Sequence, residues 1–288
     1  MSCTPSDLQH LRRRLDEIDD RLQDLLADRA EIVSMVAASK KGDNQPAFQP
    51  AREAEIIRRL VARHHGAFPI ATLVRMWREM LAATVRLQSP LSVAVFAPPE
   101  RQGNWDLARD HYGSSTPMTA YDGVDQVIRL VAGGEASLGV LPLPQANETD
   151  SWWPDLFAIA EDGPRVVARL PFGARGNARA GDAGALVIGR DLPQKSGLDR
   201  TLLAAECAAE ITRARILKLL TAAGLVCTSL LHCQRDFAID LIEIDGFVPI
   251  SDPRLARFRA ELGPALRRLL PLGGYAVPLS PALLGSIG

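Results

Sequence analysis

The chain has 288 residues, 33 Lys and Arg against 34 Asp and Glu, a formal net charge of −1 and 47% hydrophobic residues. That length implies roughly two domains, and balanced charge with no dense basic block argues against a nucleic-acid partner. The N-terminus is charged within a few residues and the apolar runs are short, so neither a secretory signal nor a membrane span is expected and the cytoplasm is the expected location. Cys3, Cys207, Cys227 and Cys233 make no C-x-x-C pair and have no His beside them at zinc-ligand spacing, which predicts free thiols in a reducing compartment and no metal.

In chain order, the first segment is Leu8 to Lys40. Leu8, Leu11, Leu15, Ile18, Leu22, Leu25, Leu26, Ile32, Val33 and Val36 recur at three- and four-residue spacing with no Pro or Gly between them. The spacing predicts one helix, a rod of roughly 50 Å, which needs a partner for its apolar face. Arg29 and Lys40, eleven residues apart, return to nearly the same face about 16 Å along the axis and bracket room for one small anion. Arg12 lies about 25 Å before Arg29 on another face, so it reaches the same ligand only from a second, antiparallel copy of the helix. Taken singly, each of these cations is more readily explained as a solvated surface charge.

Pro50 stands where a second helix starts, with Arg52 and Glu53 in its first turn, running to about His64. A third helix covers Ile70 to Gln88, with Thr84 and Gln88 at i and i+4 on one face. Arg, Lys, Glu, Thr and Gln placed in this way suit a small dianion that carries a hydroxyl.

From Ser89-Pro90 the period changes. LSVAVFAP, PMTAY, ASLGVLPLP and PRVVARLPF read as strands, and NWDLARDHYG, GVDQVIRLVAGG and SWWPDLFAIA as helices, an alternation that predicts a parallel-sheet α/β lobe. Trp152 and Trp153 are expected to pack against that lobe. The Gly- and Arg-rich connector GARGNARAGDAG has neither the spacing nor the context of a phosphate loop. Farther on, ALVIGRD and DRTLLAAE are strands and EITRARILKLLTAAG is an amphipathic helix. LVCTSLLHC and DFAIDLIEIDG suit a hairpin around Gln234-Arg235, and a helix capped by Asp252 and a final strand at GGYAVPL close a βαββαβ order. His232, on an alternating strand, is expected to be structural.

Residues 8–88 resemble the all-helical, AroQ-class chorismate mutases, in which three helices from each of two subunits interlock. The pattern appears in order as Leu11-Arg12, Ile18-Asp19, the leucine run, Arg29, Lys40, Arg52-Glu53 and Gln88. The resemblance implies a homodimer without a cofactor that converts chorismate to prephenate in the shikimate pathway to Phe and Tyr. Lys40, Gln88, Arg29 and Glu53 are then catalytic, and Arg12 (from the partner), Gln49, Arg52 and Thr84 bind substrate. Gln49 replaces a frequent Asp and Thr84 a frequent Ser, both keeping hydrogen-bonding capacity.

The remainder is similar to the downstream part of proteins that fuse this mutase to prephenate dehydratase and an ACT regulatory domain. The implied architecture is α plus α/β: a three-helix mutase domain at 1–89, a truncated dehydratase-like lobe at 90–181, and a ferredoxin-like, ACT-like domain at 182–288. The residues that carry dehydratase chemistry are replaced by FAPPERQGNWD, by Pro144-Gln145-Ala146 and by Gly184-Ala185-Leu186. Dehydration is therefore expected to be lost. Thr212-Arg213-Ala214-Arg215 and Leu231-His232-Cys233-Gln234 stand in place of the ACT sensing motifs, so aromatic amino-acid inhibition is not expected either. The alternatives are an AroQ-fold lyase that releases pyruvate from isochorismate, and a non-catalytic protein that binds a pathway enzyme.

Overall fold

A computed structural model describes residues 5–40, 47–146, 148, 151–179, 184–234 and 238–284. The chain divides into two compact units, Met1–Ala47 with Thr84–Pro90, and Phe48–Ala83 with Leu91–Gly288. Cys3, Arg235 and residues 180–183 at the expected domain boundary lie outside the described residues.

Helix α1 (Pro5–Lys40), 36 residues long, is the expected single rod, starting before Leu8. Its apolar stripe is open to solvent along most of its length, with Leu15 at 59% and Leu25 at 61% exposure. Helices α2 (Pro50–Arg63) and α3 (Ile70–Gln88) follow the predicted bounds. Pro50 occupies the first turn of α2, where its missing N–H costs nothing. Ala54, Ile57 and Val61 of α2 and Val74 and Leu81 of α3 form a core with Phe172, Leu279 and Leu284.

The second unit continues with β1 (Val93–Phe96), α4 (Gly103–Tyr112), β2 (Met118–Tyr121), α5 (Val124–Gly133) and β3 (Leu138–Pro142). Next come α6 (Trp153–Ala158), β4 (Arg165–Leu170), β5 (Ala185–Gly189), β6 (Asp199–Cys207) and α7 (Arg213–Ala222). Strands β7 (Cys227–Gln234) and β8 (Ala238–Asp245), α8 (Pro253–Leu262), β9 (Leu266–Ala276) and α9 (Pro281–Leu284) complete it. Among the described residues the strands form one nine-stranded sheet, ordered β2-β1-β3-β5-β4-β9-β6-β8-β7.

The parallel expectation holds for β2-β1-β3 and needs correction beyond them, because β5 runs antiparallel to both β3 and β4. Every residue of β5 is buried, and a continuous apolar run identifies a covered central strand without revealing its direction. The expected division at 181/182 assigns this strand to the last segment, whereas it pairs on both sides within the preceding lobe.

Strands β9-β6-β8-β7 are antiparallel and give the expected ferredoxin-like βαββαβ order. Thr212 caps α7 by accepting from the Arg215 amide, and Asp252 caps α8 by accepting from the Arg254 amide. The two halves of the sheet join where Val166 of β4 lies beside Gly273 of β9. Gly273 has φ of 123°, and a Cβ there would sit 2.2 Å from the Val166 carbonyl oxygen, so only glycine fits. Trp152 and Trp153 are buried, as expected, and the Trp152 indole donates to the Pro142 carbonyl at 3.0 Å. Among the described residues no helix is long and apolar enough to cross a membrane.

Candidate functional site

The residues singled out from the sequence fall on both units. In the first, Arg12 is exposed and Arg29 half-buried, with burial holding the Arg29 guanidinium below its usual pKa. Lys40 closes α1, and its side chain lies outside the described residues. Thr84 is buried, and the half-buried Gln88 donates through Nε2 to the Thr84 carbonyl at 3.1 Å. The shared face expected of this i, i+4 pair is thus present, with the amide turned back on its own helix.

In the second unit, Gln49 is half-buried at the start of α2 and makes no side-chain capping bond. Arg52 is exposed and pairs with Glu55 at 2.8 Å, a contact of small energetic weight at that exposure. Glu53 points the other way. Its Oε2 accepts from Nη1 of Arg78 at 2.9 Å, and both side chains are almost wholly removed from solvent.

Burial raises the Glu53 carboxyl and lowers the Arg78 guanidinium, and the attraction between them opposes both shifts. The guanidinium also stacks 4.8 Å from the centre of the Phe172 ring. Beside this pair, burial and the nearby Arg78 charge hold His111 well below the usual imidazole pKa, so it is neutral at pH 7. Burial pushes Tyr112 well above the usual phenol range, and among the described residues its buried hydroxyl has no hydrogen-bond partner.

Arg78 is the residue that sequence reasoning missed. A signal existed: Val74, Arg78, Leu81 and Val85 occupy one buried stripe of α3, and a cation on an apolar stripe requires a buried partner.

The segments that replace the dehydratase motifs are closed by their own side chains. Gln102 donates to the Ala97 and Pro98 carbonyls at 2.7 and 2.8 Å, and Asn104 donates to the Phe96 carbonyl at 3.0 Å. Ala185 and Leu186 are buried strand residues. His232 lies 3.1 Å from Asp240 across β7 and β8, a cross-strand pair in keeping with a structural role.

Residues 11–89 match the family model described as chorismate mutase type II. A bifunctional chorismate mutase/prephenate dehydratase of Pseudomonas aeruginosa is 32% identical over 149 residues, covering 49% of this chain and 40% of that one. The protein of the same name from Stutzerimonas stutzeri is 30% identical over 146 residues, with the same shares of 49% and 40%. The match thus spans about two fifths of the length of these relatives. A prephenate dehydratase of known structure from Streptococcus mutans superposes with a TM-score of 0.46 at 13% identity, over 65% of this chain and 98% of that one. The N-terminal helices carry the sequence pattern of the type II mutases, joined to an α/β portion built on a mixed sheet.

Proposed function

We propose that the chain is a chorismate mutase, acting in the cytoplasm in aromatic amino-acid biosynthesis, and that its dehydratase-like portion no longer dehydrates prephenate. The match of residues 11–89 to the type II family carries this reading. The rearrangement of chorismate to prephenate is intramolecular and needs no nucleophile, proton transfer or metal. The protein supplies restraint of a flexible diacid and a field matched to the charge that develops.

Arg29, Arg52 and Arg12 of a second copy would hold the two carboxylates, with Thr84 assisting one of them. Lys40 and the Gln88 amide would donate to the ether oxygen as its bond breaks. Gln88 would turn from its helix carbonyl toward that oxygen. With Arg78 on Oε2, Glu53 would accept from the ring hydroxyl through Oε1, and Gln49 would sit nearby. The exposed apolar stripe of α1 supports an interlocked homodimer, the arrangement in which Arg12 reaches a partner's site.

Purified protein given chorismate is expected to form prephenate, to release no pyruvate from isochorismate and to form no phenylpyruvate from prephenate. Pyruvate release would favour the lyase, and inertness toward both substrates the interaction protein. Arg12→Ala and Lys40→Ala should each lose at least about 99% of activity alone. Mixed after subunit exchange they should regain about one quarter of wild-type activity, since half the dimers then hold one intact site of two. Recovery of nothing would remove the shared site.

A further inference from the structure

We propose that the cleft bounded by α3, α4 and residues 171–176 binds a small monocarboxylate with an apolar body. The cleft has a volume of about 470 Å³, within the roughly 300–1,000 Å³ usual for small-molecule sites. Its walls are mostly apolar, among them Val74, Leu107, Phe172 and Leu284.

The buried polar residues of its lining are Arg78 and His111. The Arg78 side chain is 5% exposed, with one edge of its guanidinium held by Glu53 and Nε enclosed without a partner among the described residues. Among the described residues the buried His111 imidazole makes no hydrogen bond. A guanidinium and a neutral imidazole that line one cleft both donate, so a complementary ligand must accept, and a carboxylate offers two acceptor oxygens. Glu53 already balances part of the Arg78 charge, which disfavours a dianion such as phosphate. At the rim Arg75 is committed to Asp110, leaving Arg78 to set the sign of the cleft.

The wall at 171–176 approaches α3 closely because it is built on glycine. A Cβ at Gly173 would come 2.8 Å from Val74 Cγ1, and one at Gly176 would come 2.7 Å from Arg75 Nη2. None of the residues proposed for the mutase site lines this cleft, and Glu53 enters only as the partner of Arg78.

Titration calorimetry on the full chain tests it with benzoate, its neutral isostere benzamide, and inorganic phosphate. Benzoate is expected to bind saturably, one per chain, with benzamide and phosphate at least about tenfold weaker. Thr72→Trp, a substitution at an exposed position on the cleft wall, should abolish benzoate binding while leaving the melting curve intact. Absence of saturable benzoate binding overturns the site. Equal binding of benzamide overturns the carboxylate preference, and unchanged binding by the Thr72→Trp protein overturns the location.

Discussion

Along α1, Leu15, Leu22, Leu25 and Ile32 are each more than half exposed, whereas Val95, Val140, Ile188 and Leu203 in the sheet of the second unit are wholly buried. Both regions have regular apolar patterns, and only one of them closes on itself. A strand in a covered sheet finds its apolar partners within the same chain. A long helix with one apolar stripe is specified as a helix by its period, while burial of that stripe, about 1.5–3 kcal/mol per large side chain, has to come from elsewhere. The second unit therefore buries its own apolar surface, whereas the open stripe of α1 is what the proposed homodimer would cover.

The largest expected effect breaks that contrast at α1. Leu22→Asp places a charge on the stripe, and an unpaired charge in an apolar interface costs several kcal/mol. Light scattering should show monomer in place of dimer, and prephenate formation should fall at least about a hundredfold, while the unfolding transition of the sheet-bearing unit stays put. A dimeric, active variant would sink the assembly reading.

Next in size is a change within the self-sufficient unit. Arg78→Met leaves Glu53 buried without its cation and should cost about 3–5 kcal/mol in urea unfolding. The double variant Glu53→Gln/Arg78→Met should recover much of the loss. Acidification should also reduce the penalty of the single variant. A buried carboxyl raised above its ordinary 4.5 favours the folded state below that value, and the benefit is lost as pH rises through the folded-state pKa. A penalty that does not change with pH would count against this origin.

Lys40→Ala should lower kcat by about 10²–10³, corresponding to about 3–4 kcal/mol of barrier, with folding unchanged. Full activity in that variant would remove Lys40 from the site. The smallest effect belongs to a helix end. Asp252→Ala should cost about 1 kcal/mol near neutral pH. Hydrogen bonding to Arg254 holds the Asp252 carboxyl below its ordinary 3.8, so the capping benefit is present above that value and is lost as pH falls through the depressed one. Thermal melts of both proteins should converge in acid.

The elements themselves were legible in the residues: the bounds of α2 and α3, the capping of α8 by Asp252 and the ferredoxin-like order follow from period, proline and turn chemistry. The direction of β5 was not, because five consecutive buried residues read alike in a parallel or an antiparallel strand. Nor was the partner of Glu53. Its contact with Arg78 joins residues 25 apart on two helices, and helical period reports which face is buried without naming what meets it. The proposed site rests on residue type and order, which suit a dianionic ligand, whereas the turning of Glu53 toward Arg78 depends on tertiary packing.

Gly273 has a practical corollary for anyone who would dissect the chain. Its bare backbone lets β9 lie against β4, so the sheet is spliced at a point where any larger residue would prise the strands apart. Cutting between β5 and β6 would give two fragments, each with a raw strand border of unpaired amides and carbonyls, and such borders seek other strands. Separately expressed halves should clump, and they should become soluble when produced together and allowed to zip along that border.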